Sequence, residues 1–216
     1  MDATDTHDEE EEAMEAPATS TPVGTRRRGR QSRLGTLVIM GVTAAIILGV
    51  VYVVNKPAAG SGGLTSVVLS GRATGPAPTV GKQAPDFTAK TVDGKTVSLS
   101  SFKGQPVWLT FGASWCQPCR AENPDIKDAY ARHKASGLVV LAIFMSEDAK
   151  TVSNYAKRVG LTYEKVADPN QRIATSYRIL GIPSHFFVDS SGVLRSLKTG
   201  SLDPTAMDTA LKGIGA

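Results

Sequence analysis

The apolar residues of this chain form one long run near the N-terminus and several short runs after residue 81. The long run, residues 34–54, has 21 positions without a charge, and about 20 are enough for a helix to cross a bilayer core. Five arginines lie within residues 26–33, and only Lys56 follows the run closely. The pattern predicts a membrane-spanning anchor helix with a cytoplasmic N-terminus and everything after Val54 outside the cytoplasm. A cleaved signal peptide is the alternative, but its apolar region spans only about 7 to 15 residues.

Short apolar runs after residue 81 alternate with amphipathic segments. Residues 106–113 and 138–146 are continuous apolar runs of strand length, as expected for strands buried on both faces. Two β-hairpins are predicted, 86–104 with a turn at Asp93–Gly94 and 184–200 with a turn at Ser191–Gly192. Helices are predicted over residues 117–135, 148–160, 170–180 and 203–215. This order predicts an α/β fold, in which helices flank a central mixed β-sheet.

Composition divides the chain into four parts. Residues 1–33 contain eight acidic residues, all within positions 2–15, and five arginines within positions 26–33, and their low hydrophobicity is typical of a disordered tail. The predicted anchor, 34–54, is followed by residues 55–80, which are rich in Gly, Ala, Ser and Pro and favour a flexible linker. A short strand within residues 64–70 is compatible with that linker. Residues 81–216 then form the α/β domain.

The net positive charge of the chain does not indicate a particular binding partner. Residues 34–216 carry 19 lysines and arginines against 12 acidic residues. Diffuse lysines are more typical of a solvated surface than of a binding site. Because membrane topology explains the arginine cluster, we expect no nucleic-acid partner.

The two cysteines of the chain, Cys116 and Cys119, lie where a buried strand gives way to a helix. Cys116 there faces the positive end of the helix dipole, which favours the reactive thiolate. Cys119, expected to be more buried, lies about one helical turn away and can resolve a mixed disulfide formed at Cys116. Glu122 falls on the same helix face. It is either a proton acceptor for Cys119 or an ordinary surface residue.

Two other uses of the cysteine pair are weaker. A structural zinc site needs four ligands, and nothing in the spacing of His133 and His185 encourages one, so we expect no metal. A static disulfide would close only a two-residue loop and would constrain the unfolded chain little. Redox chemistry by the dithiol itself, without another cofactor, is the better use of the pair.

Three blocks of sequence together resemble the membrane-tethered, extracytoplasmic thioredoxin-like proteins of the TlpA, ResA and CcmG group. They are APDFTAKTVDGKTVSLSSFKGQPV, TFGASWCQPCRAENP and YRILGIPSHFFVDSSG. The resemblance covers residues 81–216 and is more specific than a lone CxxC motif. It implies a thioredoxin-like fold whose sheet edge is extended by the N-terminal β-hairpin.

The resemblance also implies roles for individual residues. Cys116 is the nucleophile, Cys119 is the resolving thiol, and Pro183 is a cis-proline packed against the disulfide. The backbone of Ile182 pairs with the substrate chain, and Glu122 matches an acidic residue that tunes cysteine acidity. The residues expected next to the substrate are Trp115, Gln117, Pro118 and Ile182.

Some residues depart from the family pattern or keep two interpretations. Thr110 stands where thioredoxin has a buried aspartate, so that proton route is absent. Trp115 is either a core residue or a lid beside Cys116. His185 is interpreted as a packed core or edge histidine, and Glu164 and Asp168 as surface or capping residues.

The function predicted from these residues is thiol-disulfide exchange. The resemblance implies an extracytoplasmic reductase of exported proteins, with apocytochrome c as a candidate substrate and a membrane-bound thiol reductase as electron donor. An oxidase or isomerase on the same scaffold is the first alternative. A copper metallochaperone is a second, disfavoured because such relatives place three residues between the cysteines. A thiol peroxidase is disfavoured because Ala113 stands where a threonine is required.

Overall fold

The computed structural model describes residues 33–55, 63–73 and 75–216 of the 216. Two compact units divide the chain, Met1–Pro57 and Ala58–Ala216. In the first unit, helix α1 spans Arg33–Asn55 and coincides with the predicted apolar run. Its apolar side chains are exposed between Leu37 and Val51.

No helix in the described part of the chain reaches the combined length and hydropathy needed to cross a membrane. The predicted membrane-spanning segment, 34–54, therefore stays a prediction. Apart from Arg33, the predicted acidic and arginine-rich tail lies outside the described residues.

The second unit is built on a central mixed sheet. The strands in chain order are β1 Thr65–Ser66, β2 Thr88–Lys90, β3 Thr96–Ser98, β4 Val107–Gly112, β5 Val139–Met145, β6 Glu164–Asp168, β7 Gly181–Ile182, β8 Ser184–Val188 and β9 Leu194–Thr199. The central sheet has the order β6-β5-β4-β8-β9. Strand β4 runs parallel to β5, which is parallel to β6, whereas β4 is antiparallel to β8 and β8 to β9. The predicted mixed sheet is confirmed.

Helices flank this sheet and begin and end near the predicted residues. They are α2 Gln117–His133, α3 Ala149–Val159, α4 Arg172–Ser176 and α5 Pro204–Lys212. Helix α3 begins after Asp148, whose side chain accepts a hydrogen bond from the Thr151 N–H at 2.7 Å. It ends at Gly160, where φ is 68°, a left-handed conformation that glycine adopts without strain.

Alternating residues of β4 fill a core on each face of the sheet. Leu109 and Phe111 pack on the face that also carries the two cysteines. Trp108 packs on the opposite face, against residues of α2, α3 and α5. This two-faced burial is the reason that β4 reads as a continuous apolar run instead of an alternating one.

The N-terminal hairpin forms as predicted but joins the sheet only loosely. Strands β2 and β3 pair with each other in a separate two-stranded sheet. An isolated bridge between Thr91 and Val166 connects this hairpin to β6, and the Val92 N–H donates to the Lys165 carbonyl at 2.9 Å. The hairpin therefore adjoins the sheet edge and is not a full additional strand of the sheet.

Strand β6 was not predicted from the sequence. Glu164 and Asp168, interpreted as surface or capping residues, are its first and last residues. Asp168 is buried, which corrects the surface interpretation, but it does cap α4 by accepting from the N–H groups of Arg172 and Ala174. Burial outweighs these hydrogen bonds and raises the pKa of Asp168.

Part of the predicted linker is packed. Residues 63–70 are called the strap here, and from residue 64 onwards they alternate between exposed and half-buried positions as a strand does. Thr65 and Ser66 pair with Ile182 and Gly181, so the expected short strand is confirmed. Because these backbone groups find partners on β7, this segment differs from the flexible tether expected over 55–80.

Candidate functional site

The site is centred on a disulfide at the start of helix α2. Cys116 and Cys119 are bonded, with their Cα atoms 5.3 Å apart. Cys116 is the residue that caps the helix, and its Sγ accepts a hydrogen bond from the Cys119 N–H at 3.2 Å. Pro118 lies in the first turn, where its missing N–H costs no helical hydrogen bond. The predicted position of Cys116 at a helix N-terminus is confirmed.

A proline loop faces the disulfide. The bond between Ile182 and Pro183 is cis, as the resemblance implied. The Ile182 carbonyl oxygen lies 3.9 Å from Cys116 Sγ. The loop that joins β7 to β8 thus brings Ile182 next to the cysteine at the helix N-terminus.

The relative burial of the two cysteines differs from the expectation. Cys116 is 1% exposed and Cys119 is 7% exposed, so the prediction that Cys119 is the more buried is wrong. The strap and the proline loop explain the difference. Thr65 Oγ1 and the Ile182 carbonyl each lie 3.9 Å from Cys116 Sγ.

Glu122 is a buried residue beside Cys119, not a surface residue. It is 3% exposed and lines one small cavity together with Cys119, Thr110 and Pro183. Its Oε1 accepts from the Leu202 N–H at 2.6 Å. Its Oε2 is buried without a hydrogen-bond partner among the described residues. This oxygen is therefore available to accept a hydrogen bond.

His185 contacts Glu122 from the sheet. It is fully buried on β8, which confirms a core histidine. The Trp108 indole N–H donates to His185 Nδ1 at 3.3 Å, and His185 Nε2 lies 3.3 Å from Glu122 Oε1, not aligned as a hydrogen bond. The sequence did not indicate this contact, because residues 122 and 185 are far apart in the chain.

Tyr163 adds a phenol to the same cavity. Burial, with smaller effects of Tyr155 and Glu122, raises the pKa of Tyr163. The Tyr163 hydroxyl donates to the side-chain oxygen of Asn123 at 3.3 Å. The phenol is therefore a neutral wall of the cavity, and Glu122 is its acidic group.

The residues predicted next to the substrate lie around the disulfide. Trp115 is 50% exposed, which excludes the core interpretation and leaves the lid interpretation as a prediction. Gln117 is exposed, and Pro118 is half-buried. A Cβ at Gly63 would lie 3.1 Å from the Pro118 ring, so the strap passes directly over that ring.

Glu147 is a further site residue, and sequence reasoning missed it. Its carboxylate accepts from the Ser114 N–H at 2.8 Å and from the Ser114 hydroxyl. Ser114 lies in the loop between β4 and Cys116. Because β4 and β5 are parallel, their carboxyl ends meet at one sheet edge. Glu147 lies two residues after β5, so its position at the carboxyl end of a strand parallel to β4 could have indicated that it lies near Ser114.

No group of three or more His, Cys, Asp or Glu side chains suited to a metal ion occurs in residues 33–55, 63–73 and 75–216.

Comparison with known proteins agrees with this geometry. Residues 80–197 match the AhpC/TSA family. A thiol-disulfide oxidoreductase ResA of Geobacillus kaustophilus is 31% identical over 135 residues, which are 62% of this chain and 78% of the relative.

Two solved structures are similar in fold. A thioredoxin-family thiol:disulfide interchange protein of Chlorobium tepidum TLS is 30% identical, with a TM-score of 0.57 over 66% of this chain and 100% of the other. StoA of Bacillus subtilis is 25% identical, with a TM-score of 0.51 over 60% of this chain and 96% of the other. With its cysteine pair at the helix N-terminus and its cis-proline opposite, the chain belongs to the AhpC/TSA family and, within it, to the ResA-type thiol-disulfide oxidoreductases.

Proposed function

We propose that this protein reduces disulfide bonds of exported proteins outside the cytoplasm. The observation that carries the exchange chemistry is the hydrogen bond from the Cys119 N–H to Cys116 Sγ. It stabilises negative charge on Cys116 at the helix N-terminus, and the thiolate is the attacking species. The direction towards reduction is supported by the resemblance to ResA.

The reaction proceeds in two exchange steps. In the reduced protein, the Cys116 thiolate attacks a substrate disulfide, forms a mixed disulfide and releases one substrate thiolate. Cys119 then attacks Cys116 Sγ, which releases the second substrate thiol and leaves the Cys116–Cys119 disulfide. A membrane-bound thiol reductase supplies the two electrons and two protons that restore the dithiol.

Glu122 serves the second step. Its Oε2 has no hydrogen-bond partner within the described part of the chain and it lies beside Cys119 in one cavity, which suits it to accept the Cys119 thiol proton. Pro183 lines the same cavity as Cys119, and the resemblance implies that it packs against the disulfide. Trp115, Gln117 and the Ile182 backbone form the surface that meets the substrate.

The extracytoplasmic location rests on the sequence. The uncharged run of 21 residues and the five arginines before it support an anchor with the catalytic unit outside the cytoplasm. To test this, intact cells would be treated with a membrane-impermeant maleimide after mild reduction. Labelling of Cys116 in intact cells is expected, and labelling only after lysis would contradict the location.

An oxidase or isomerase is the second candidate, and one contact favours it. The same hydrogen bond that activates Cys116 stabilises the reduced protein, which raises the reduction potential. Equilibration with thiol-disulfide buffers measures that potential. A value below about −230 mV supports the reductase, whereas a value near about −120 mV would make the protein an oxidant.

Apocytochrome c before haem attachment is the candidate substrate among exported proteins. A disulfide-bonded CxxCH peptide tests it, because the reduced protein is expected to reduce this peptide faster than a scrambled peptide of the same composition. Equal rates would contradict this choice of substrate.

A further inference from the structure

The strap occupies the free edge of β7 next to the disulfide. Its pairing with β7 is antiparallel, with Thr65 opposite Ile182 and Ser66 opposite Gly181. The pairing continues where the Val67 N–H donates to the Leu180 carbonyl at 3.1 Å. The N–H and C=O groups at the edge of a strand can form hydrogen bonds with any extended chain that lies alongside it.

The half-buried side chains of the strap face the domain. Thr65 points towards Cys116, with 3.9 Å between Oγ1 and Sγ. Val67 and Leu69 pack against the core that contains both cysteines. The intervening residues Ser66 and Val68 are exposed. The segment therefore presents the side chain at position 65 to the nucleophile.

This arrangement conflicts with catalysis unless the strap moves. A substrate sulfur must come within about 2.05 Å of Cys116 Sγ to form the mixed disulfide. Cys116 is 1% exposed, and Thr65 fills part of the space beside its sulfur. A protein substrate must therefore replace the strap.

Specific contacts hold the strap at both ends. The Gly63 carbonyl accepts from the Ser201 N–H at 3.2 Å, and the Ser70 N–H donates to Gln171 Oε1 at 2.5 Å. A Cβ at Gly181 would lie 2.8 Å from the end of the Leu64 side chain, so a larger residue at this position would force that side chain to shift. These contacts hold the strap beside Cys116 in the oxidised protein.

We propose that the strap is an internal mimic of the substrate, and this proposal rests on the proposed function. The preferred substrate is a flexible, extended polypeptide segment that pairs with Gly181 and Ile182. It carries its disulfide sulfur at the position of Thr65 and an apolar residue two positions later, at the position of Val67. The strap leaves this edge when a substrate binds and returns when the product departs.

The first test replaces the mimicking side chain by cysteine in the full-length chain. In the variant Thr65→Cys/Cys119→Ser, oxidised glutathione is expected to convert the thiols of residues 65 and 116 into a disulfide and to be reduced to two molecules of glutathione. Ser66→Cys/Cys119→Ser is the matched control, because neighbouring strand residues face opposite sides. Peptide mapping under non-reducing conditions identifies the crosslink. Equal crosslinking in both variants, or none at residue 65, would overturn the position assigned to the strap.

The second test weakens the strap without touching the cysteines. Val67→Pro removes the N–H that donates to Leu180. Val68→Pro is the control, since its exposed position has no such bond among the described residues. With the full-length chain, reduction of a disulfide-bonded peptide is expected to speed up by roughly three- to tenfold in Val67→Pro, as loss of one net hydrogen bond would produce. An unchanged or slower rate, relative to Val68→Pro, would overturn the proposal.

A small disulfide distinguishes a failure of the proposed function from a failure of the strap proposal. Hydroxyethyl disulfide needs no backbone pairing, so its reduction is expected to change less than peptide reduction in Val67→Pro. If the unaltered protein reduces neither compound, the proposed function fails. If it reduces hydroxyethyl disulfide normally while Val67→Pro leaves peptide reduction unchanged, only the strap proposal fails.

Discussion

At the scale of single residues, the proposed chemistry is concentrated in Cys116, Cys119 and Glu122. The sequence predicted the cysteine pair and its helix N-terminus, because a strand followed by Cys-Gln-Pro-Cys leaves few other geometries. It left Glu122 open, because spacing on a helix does not reveal what packs over that face. The contacts of Glu122 with Leu202 and His185 depend on distant parts of the chain, which no local pattern encodes.

Replacing Glu122 by Gln removes the proposed proton acceptor of Cys119. We expect the second exchange step to slow by roughly 10²-fold near pH 7, within the range of general-base effects. The loss should shrink above about pH 8.5, where a free thiol ionises without help. Stopped-flow measurement of mixed-disulfide decay checks this. Glu164→Gln on β6 is the control, and an equal loss there, or a loss independent of pH, would contradict the role.

Trp108 and Trp115 offer a matched pair for stability. Trp108→Phe leaves the buried Nδ1 of His185 without its donor, and an unsatisfied buried polar group costs about 1–3 kcal/mol. Trp115→Phe changes an exposed side chain and should alter the free energy of unfolding by less than about 0.5 kcal/mol. Urea unfolding of both variants measures the difference. Equal effects would argue against the buried hydrogen bond.

At the scale of secondary-structure elements, local signals predicted most boundaries. Asp148 and Gly160 delimit α3, and Asp93–Gly94 and Ser191–Gly192 mark the turns of the two hairpins. The sequence Glu-Lys-Val-Ala-Asp of β6 lacks the apolar run of a buried strand, so it was missed. Strand β1 was predicted as a short strand, but its pairing was not, because its partner β7 lies more than a hundred residues away.

The turn of the second hairpin should be sensitive to acid. Partial burial raises the pKa of Asp189, but hydrogen bonds from Ser191, Val193 and Arg195 together lower it to about 2. A lowered pKa contributes stability that is fully present above the unfolded value near 3.8 and is lost as the pH falls towards about 2.

Asp189→Asn should therefore destabilise the protein at pH 6 and lose this difference progressively between about pH 4 and pH 2. Urea unfolding at several pH values follows the difference. Asp93→Asn, at the exposed turn of the first hairpin, is the control. A difference that stays constant from pH 6 to pH 2.5 would contradict the assigned hydrogen bonds.

At the scale of the whole molecule, the fold gathers segments that are distant in sequence around one sulfur atom. The start of α2 supplies Cys116, β7 supplies Ile182, and the strap supplies Thr65. The fold class and the cis-proline followed from three sequence blocks together. The burial of Cys116 under the strap did not, because the local sequence of the strap does not specify the distant residues with which it pairs.

In the proposed reaction, Cys116 attacks the substrate disulfide and Cys119 resolves the mixed disulfide. The most direct measurement uses reduced Cys119→Ser and Cys116→Ser with a disulfide-bonded peptide, followed by mass spectrometry under non-reducing conditions. We expect a stable peptide adduct on Cys116 in Cys119→Ser and little adduct in Cys116→Ser. Adducts of equal yield on both cysteines, or on Cys119 alone, would contradict it.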